Sequence, residues 1–548
     1  MTAGARARRA SAAMTASARV SVPELLDRQV GLDMGCLDRI YLNGYVPNLQ
    51  VGGQVVTFLT RHLGYPIPSP ALFDKIGSRF RRDVTDFVES TGVPMVRFAK
   101  GERKAEVMRP YLDAAAAAGR AGVVAVGVAQ EFQRVFTGYD RASEPGAVCY
   151  GFAKADRRVS VYYFYLFDEE FGPAFIKICT YFPYPMKIWI NGHEWAKRQC
   201  GYAGISFTAL SNGFATADDP AGLQAICDRL SAGHIQRFAD RWLARLPLPL
   251  TPADRAGGYW WELSMRQIEV SRTLVFTAPR HARAFFEALV ADNLGMGRPD
   301  ELSLIFDRRI RSGTEMGFLT KVVTRGVDTT VNFFYRHSRI KEYLKDGRAL
   351  RIETVVNNTR DLGVLGRLPN LPELIVKARA ANDRLLHAQR VGQCCVLASP
   401  AFERVAVPTV DAAGRRAPAL RFGDPRVMAL VGALTLGIYS ATGFTNRSLR
   451  ARVAGLLEIP YSANQMGYDL ARLRRKGLIE RLAHTNTYIL TDDGQRVAMF
   501  YTKVHDRLLH PLIAANRPPA PPDLRDALRT IDTHVRGYIR DAGMANAA

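Results

Sequence analysis

The sequence predicts a multidomain α+β protein in which an antiparallel-sheet central region is flanked by helices. With 548 residues, the chain exceeds the roughly 250–300 residues at which a single hydrophobic core stops growing, so several domains are expected. Runs rich in aromatic and β-branched residues, "RVSVYYFYLFD", "PAFIKICTYFP" and "MKIWING", are separated by turn signals, as in an antiparallel meander. Stretches with helical periodicity lie on both sides of them.

The charge of the chain indicates a polyanionic partner. Lys and Arg total 74 against 52 Asp and Glu, which gives a formal net charge of +22. Arginine outnumbers lysine, and guanidinium groups bind phosphate in a bidentate manner. A coding bias towards arginine accounts for the ratio of Arg to Lys but not for the excess over acids, so nucleic acid is the favoured partner.

The cysteines and the apolar runs exclude several classes of protein. The seven cysteines are scattered and form no Cys-x-x-Cys pair, so neither a zinc module nor a disulfide framework is predicted. Long apolar runs such as "GVVAVGVA" are much shorter than the about 20 residues of a membrane span. A cytoplasmic protein without a membrane partner is expected.

The first 400 residues divide into three predicted parts. A disordered basic tail is predicted over residues 1–22, and an N-terminal α/β domain is predicted over residues 23–140. In that domain, strand "VPMVRFAK", helix "GERKAEVMRPYLDAAAAAGRAG" and strand "GVVAVGVAQEF" fit a parallel crossover. Residues 141–400 predict a central α+β domain with an aromatic antiparallel sheet, and residues 401–422 a linker.

The C-terminal part, residues 423–512, resembles a winged helix-turn-helix. Three helices, "DPRVMALVGALTLGI", "GFTNRSLRARVAGLLE" and "SANQMGYDLARLRRKGLIERL", precede a short β-hairpin that ends "YILTDDGQRVA". The string "DLARLRRKGLI" is similar to the end of the recognition helix in many bacterial winged-helix modules. Residues 513–548 predict a C-terminal helical tail.

The resemblance implies that the third helix enters the major groove of DNA. Candidate contacts on this helix are Asn464, Gln465, Tyr468, Arg472, Arg475 and the adjoining Lys476. Amide side chains read adenine, whereas arginine reads guanine or binds phosphate. Winged helices also bind RNA or proteins, and both alternatives stay open.

A second basic segment, "YRHSRIKEYLKDGRALRIETVVNN", predicts a β-hairpin that turns at Asp346 and Gly347. Its candidate phosphate contacts are Arg336, Arg339, Lys341, Lys345 and Arg348. Glu353 and Arg351 share a strand face by alternation. A salt bridge with Arg351 and a catalytic role are therefore alternative hypotheses for Glu353.

The same segment resembles two kinds of known protein. "IKEYLKDG" followed by "LRIE" is similar to a motif of phage and plasmid replication initiators, but the His-hydrophobe-His strand of rolling-circle nickases is absent, so nicking is not implied. The blocks "FGPAFIKICTYFPYPMKIWINGHEWAKRQ" and "HSRIKEYLKDGRALRIETVVNN" resemble an uncharacterised bacterial family that ends in a winged helix. That resemblance implies an architecture and no activity.

Three carboxylates are candidates for catalysis. Asp168 in "YLFDEEFG" and Glu194 in "NGHEW" would join Glu353 and hold Mg²⁺ or Mn²⁺ for phosphoryl transfer, if the sheet brings them together. The alternative is that "DEE" is a solvated turn and that Glu194 stabilises the first turn of a helix.

These observations predict a DNA-binding protein of a mobile element. Its winged helix would recognise a site and its basic central domain would handle nucleic acid, as in a metal-dependent replication initiator or nuclease that uses the three carboxylates. The alternative is a non-catalytic transcription or replication regulator. An RNA-binding protein that uses the aromatic sheet is a third hypothesis.

Overall fold

The computed structural model describes residues 22–140, 150–296, 320–325, 328–391, 400–411, 414–509 and 522–541. It confirms a mixed α+β fold with many helices and a large, mainly antiparallel sheet. The chain forms two compact units, each built from separate stretches of sequence. Unit 1 comprises Met1–Asp33, Thr273–Ile352 and Ala380–Ala548, and unit 2 comprises Met34–Arg272 and Glu353–Arg379.

The strands have the following bounds: β1 Val30–Tyr45, β2 Met95–Arg97, β3 Gly122–Asp140, β4 Tyr150–Asp168, β5 Gly172–Cys179, β6 Met186–Asn191, β7 Phe207–Leu210, β8 Gly213–Ala217, β9 Glu262–Phe276, β10 Thr320–Arg325, β11 Asp328–Tyr335, β12 Ser338–Lys345, β13 Ala349–Val356, β14 Thr409–Val410, β15 Arg416–Ala417, β16 Phe444–Thr445, β17 Ile479–Arg481 and β18 Thr487–Leu490.

The α-helices are α1 Val22–Arg28, α2 Gly52–Thr57, α3 Ala71–Thr91, α4 Lys104–Ala117, α5 Gly192–Ala203, α6 Pro220–Arg229, α7 Ala232–Leu243, α8 Pro252–Ala256, α9 Pro279–Met296, α10 Leu371–Val391, α11 Pro400–Ala406, α12 Pro425–Leu434, α13 Gly437–Thr442, α14 Asn446–Leu457, α15 Ala463–Arg475, α16 Asp492–Val504 and α17 Pro522–Asp541.

Unit 2 contains strands in the order β13, β9, β1, β6, β5, β4, β3, β2. Only part of β13, of β9 and of β1 belongs to this unit. The predicted parallel crossover is confirmed, since β2 pairs with β3 in parallel and α4 connects them. The predicted boundary at residue 140 lies within a hairpin. Because β3 and β4 pair from Gly122↔Phe167 to Asp140↔Tyr150, residues on both sides of that position belong to unit 2.

Unit 1 contains strands in the order β10, β11, β12, β13. The predicted turn between β12 and β13 is confirmed: Asp346 and Gly347 both have positive φ, +48° and +64°, as a tight hairpin of this type requires. The predicted linker over residues 401–422 contains most of α11 and the two-stranded β14–β15 sheet. The predicted basic tail lies outside the described residues except for Val22.

The C-terminal segment of unit 1 runs α12, α13, β16, α14, α15, β17, β18, α16, and its three strands have the order β16, β18, β17. Its core contains Leu449, Val453, Met466, Leu470 and Leu473, all at most 3% exposed. The predicted hairpin was expected to extend through "TDDGQRVA", but these residues begin α16. Thr491 accepts a hydrogen bond from the Gly494 N–H, and two aspartates occupy the first turn, where they stabilise a helix.

Among the described residues, no helix is long and apolar enough to cross a membrane.

Candidate functional site

Three buried carboxylates converge on three neighbouring strands of unit 2. Asp38 lies on β1, Glu269 on β9 and Glu353 on β13, and the strand order places β9 between the other two. One oxygen from each residue lies within 4.8 Å of the other two. The three residues are 2–3% exposed. We call them the carboxylate cluster.

The alternation of β1 explains why Asp38 points into the protein. Leu32, Met34, Ile40 and Leu42 are buried at even-numbered positions of this strand, and Asp38 occupies the same register. An acid at an apolar position of a strand was therefore the signal in the sequence. Asp38 was not among the predicted site residues, because no strand was predicted over residues 30–45.

Polar side chains hold two members of the cluster in place. Asn212 donates from Nδ2 to Asp38 Oδ1 at 2.8 Å, and Asn191 donates to Asn212 Oδ1 at 3.0 Å. Gln267 donates from Nε2 to Glu269 Oε1 at 3.2 Å. The Arg39 guanidinium lies 3.7 Å from that same Glu269 oxygen and offsets part of its charge.

His193 lies beside the cluster at the start of α5. Its Nε2 is 3.9 Å from Asp38 Oδ2 and 3.2 Å from Ser271 Oγ. Because the Ser271 hydroxyl donates to the Cys36 carbonyl oxygen, it accepts from His193, and Nε2 carries a proton. Gly192 allows this approach, since a Cβ there would lie 1.8 Å from the Leu37 carbonyl oxygen.

Carboxylates at this separation repel one another in a buried environment. Protons or a cation among them remove the repulsion, and carboxylate oxygens are ligands that Mg²⁺ and Mn²⁺ prefer. Asp38, Glu269 and Glu353 are the residues of the described chain that have this arrangement.

Of the three predicted catalytic carboxylates, only Glu353 belongs to the cluster. Asp168 ends β4 and accepts hydrogen bonds from Trp242 Nε1 at 2.8 Å and from Arg241 Nη2 at 2.7 Å. Its other oxygen accepts from the backbone N–H groups of Glu170 and Phe171, both at 2.9 Å. Asp168 therefore closes a turn and anchors α7.

Glu194 lies in the first turn of α5, where the helix dipole stabilises its charge. Its Oε1 accepts from Lys197 Nζ at 2.8 Å, one helical turn later. This placement agrees with the alternative that the sequence left open for Glu194. Asn191 caps the same helix by accepting from the backbone N–H groups of His193 and Glu194.

The predicted contacts on α15 divide into exposed and buried residues. Asn464, Gln465 and Tyr468 are exposed, and Gln465 also forms a capping box with Ser462. Arg475 is half-buried and lies 3.7 Å from Asp411. Arg474, which was not among the predicted contacts, is also exposed.

Arg472 and Lys476 face the interior of unit 1. Arg472 is 9% exposed and donates to the backbone oxygens of Pro418 and Ala419. Lys476 is fully buried and donates to the oxygens of Arg404 and Val407, and burial lowers its pKa to about 8. Both cations attach α15 to the preceding segment, so neither is placed to contact a nucleic acid.

Asp469 anchors α15 from a second side. It is fully buried, accepts from Arg426 Nη2 at 2.9 Å and accepts from the Tyr461 hydroxyl. Burial, followed by the hydrogen bond to Asp469, raises the pKa of Tyr461 to about 12.

The cations of the β12–β13 hairpin lie mainly at half-buried positions. Arg339, Lys341, Lys345 and Arg348 are half-buried, and Arg348 Nε donates to the Phe276 carbonyl oxygen at 3.3 Å. Arg336, which lies before the hairpin in the turn between β11 and β12, is exposed, and its guanidinium lies 5.3 Å from the ring centroid of Tyr335. Arg351 is fully buried.

No protein-family model, no curated protein and no solved structure matches this chain.

Proposed function

We propose that the protein binds duplex DNA through a winged helix formed by residues 425–504. The supporting observation is the element order α12, α13, β16, α14, α15, β17, β18, together with the pairing of β18 to both β16 and β17. A helix-turn-helix inserts its second helix into the major groove, and the hairpin then forms a wing beside it. In this arrangement α14 and α15 are the helix-turn-helix pair, and α15 is the recognition helix.

The exposed side chains of α15 fit this role. Asn464 and Tyr468 lie in the N-terminal half of the helix, which reads base edges in helix-turn-helix proteins, and Arg474 lies near its end. Arg447 in the first turn of α14 is also exposed, where it would contact a phosphate. The turn between β17 and β18 adds exposed His484.

The test compares two exposed arginines by fluorescence anisotropy with labelled duplex DNA. Arg474→Ala should weaken binding by about three- to tenfold and reduce the salt dependence by roughly one phosphate contact. Arg529→Ala on α17, where the side chain is 75% exposed, should change neither quantity. Equal effects of the two variants, or no duplex binding by the wild type, would contradict the proposal.

The carboxylate cluster favours a second candidate function, metal-dependent phosphoryl transfer. Asp38, Glu269 and Glu353 would hold Mg²⁺ or Mn²⁺, which supplies Lewis acidity at a phosphate. Asn212, Gln267 and Arg39 would keep the first two carboxylates in position. This function would separate a replication initiator or nuclease from a regulator that only binds.

A matched pair of variants tests the metal site. Mn²⁺ at about 100 times its dissociation constant should stabilise the wild type by about 2.7 kcal/mol, and Glu194→Gln should retain the effect. Glu353→Gln should lose it. Cleavage of supercoiled and single-stranded DNA in Mn²⁺ then tests the reaction. A wild type that Mn²⁺ leaves unchanged, or a Glu353→Gln variant that responds fully, would exclude this second function.

A further inference from the structure

Strands β5 and β6 of unit 2 present two different faces. Ile176, Ile178, Ile188 and Ile190 are fully buried on one face. The alternating residues on the other face include Phe175, Lys187 and Trp189, all half-buried. With Tyr41 of the neighbouring strand β1, these residues form what we call the aromatic face. Outward positions of a half-solvated sheet are usually polar, so a row of rings there indicates a binding surface.

The three rings are adjacent across three strands. Trp189 lies directly opposite both Tyr41 and Phe175 in the strand registers. The Phe175 and Trp189 rings are stacked, with centroids 5.9 Å apart and planes at 8°. Tyr41 meets Phe175 edge-on at 6.2 Å. Neighbouring strands are about 4.8 Å apart, so the rings extend over about 10 Å.

Helix α4 covers the next part of the same sheet and shows where the aromatic face ends. Met108 of α4 packs with Tyr163 and Tyr165 of β4, and Phe175 is partly buried against the same cluster, so Phe175 forms the edge of the aromatic face. Glu131 of β3 binds Lys104 at 2.9 Å and also binds Lys177 and the Tyr163 hydroxyl. These contacts fix the side chains at the border of the aromatic face. Burial raises the pKa of Glu131, but Lys177 and the other partners outweigh it and lower the pKa to about 2.

Cations surround the rings. The Lys187 ammonium lies 5.3 Å from the ring centroid of Tyr41. Arg266 on β9 is exposed, and the Arg39 side chain on β1 is 48% exposed. Burial lowers the pKa of Lys187 to about 8, and the positive charges of Lys177 and Arg266 lower it further, against the opposing charge of Glu131. A phosphate at this point would relieve the repulsion among these cations.

We propose that the aromatic face binds single-stranded DNA, with bases stacked on Trp189, Phe175 and Tyr41 and the backbone held by Lys187 and Arg266. Rings interleaved with cations bind single strands because every base has a face that can stack. A duplex hides those faces. The choice of DNA over RNA rests on the proposed function, since the same chain carries the candidate duplex reader.

The test measures the anisotropy of a labelled mixed-sequence DNA strand with the full-length protein. Trp189→Ala should weaken binding roughly tenfold, whereas Trp189→Phe, which keeps a stacking ring, should remain near the wild type. Phe132→Ala is the matched control, since Phe132 is 74% exposed on β3 outside the aromatic face. Unfolding transitions show whether each variant is folded, and unchanged binding by folded Trp189→Ala would overturn the proposal.

Lys187 provides a readout that a structural role would not change. Wild-type affinity should fall as pH rises above about 8, where Lys187 loses its proton, and Lys187→Arg should remove this fall because arginine stays charged. The same pH dependence in both proteins would overturn the role of Lys187 in the proposal.

Two further arms separate this proposal from the proposed function. Duplex binding that depends on Arg474 but not on Trp189 supports two distinct surfaces. If the duplex is not bound while the single strand is bound through Trp189, the winged-helix proposal fails and the aromatic face stands. Tighter binding of an RNA strand with the same sequence would overturn the choice of DNA.

Discussion

The β12–β13 hairpin and helix α15, two basic segments, each bury one acid of unit 1 among their cations, but with different partners. Asp469 of α15 accepts from Arg426 at 2.9 Å and is fully buried. Glu342 of β12 is equally buried and accepts from the Gln389 amide at 2.7 Å. A guanidinium compensates a charge, whereas an amide does not. Burial alone therefore does not determine what a carboxyl group contributes.

The cations of the two segments also differ in burial and in partners. Lys476 and Arg472 are attached to backbone oxygens, and Arg351 is fully buried. Arg474 on α15 and Arg336, in the turn just before the hairpin, remain exposed. A basic stretch of sequence thus contains cations that stabilise the fold as well as cations that remain accessible, and only the direction of each side chain separates them.

The largest effect is expected from Asp469→Asn. The substitution leaves Arg426 without its buried counter-charge, so the free energy of unfolding should fall by about 3 kcal/mol, measured by urea titration. Arg426 is 37% exposed, which keeps the loss at the lower end of the usual range. Asp526→Asn on α17, an exposed ion pair, should change stability by less than about 0.5 kcal/mol. If Asp469→Asn lowers the free energy of unfolding no more than Asp526→Asn does, Arg426 does not need the charge of Asp469.

A smaller, pH-dependent effect is expected from Glu342→Gln. Burial raises the pKa of Glu342 from 4.5 to about 8, so the folded protein keeps a proton that the unfolded chain releases. The stability that Glu342 contributes is therefore present at low pH and declines as pH rises towards 8.

Glutamine cannot ionise, so the Glu342→Gln variant should match the wild type near pH 4 and exceed it by about 2 kcal/mol near pH 6 in urea titrations, since each pH unit between the two pKa values changes stability by about 1.4 kcal/mol. Glu480→Gln, at an exposed position of β17, is the control and should follow the wild type at both pH values. Parallel stability curves for the wild type and Glu342→Gln would mean that Glu342 is ionised in the folded protein.

The smallest effect is expected from Arg336→Ala. This cation, in the turn between β11 and β12, is exposed and lies beside the Tyr335 ring, so its loss should change the free energy of unfolding by less than about 0.5 kcal/mol. Duplex binding should weaken by less than about twofold, because a surface cation outside residues 425–504 adds only diffuse attraction. An effect as large as that of Arg474→Ala would instead place Arg336 in the proposed DNA-binding surface.

Local signals were sufficient to predict several elements of the fold. Asp346 and Gly347 indicated the hairpin turn. The glycines of "GHEWAKRQCGYAG" indicated that this helix ends at Gly201 or Gly204, and α5 ends at Gly204, which adopts a positive φ of +72°. Ser462, at the start of "SANQMGYDLARLRRKGLIERL", indicated a helix N-cap, and its side chain accepts from the Gln465 N–H at the start of α15. These features depend on a few consecutive residues, so a sequence shows them directly.

The carboxylate cluster depends on residues far apart in the sequence. Asp38, Glu269 and Glu353 meet because β9 lies between β1 and β13, and no local pattern shows that strand order. The buried state of Arg472 has the same origin, since its partners, Pro418 and Ala419, lie more than 50 positions earlier. Helical spacing placed Arg472 on the exposed face, and tertiary packing placed it inside.

The salt dependence of duplex binding is the most direct test of the proposal that α15 binds DNA. Binding constants of the full-length protein should be measured from low to high salt, for the wild type and for Arg474→Ala. A winged helix with several phosphate contacts should give a steep linear fall of log K with log salt concentration, and Arg474→Ala should reduce that slope by about 1. A flat dependence, or one that Arg474→Ala leaves unchanged, would contradict the assignment of α15 as a DNA-binding helix.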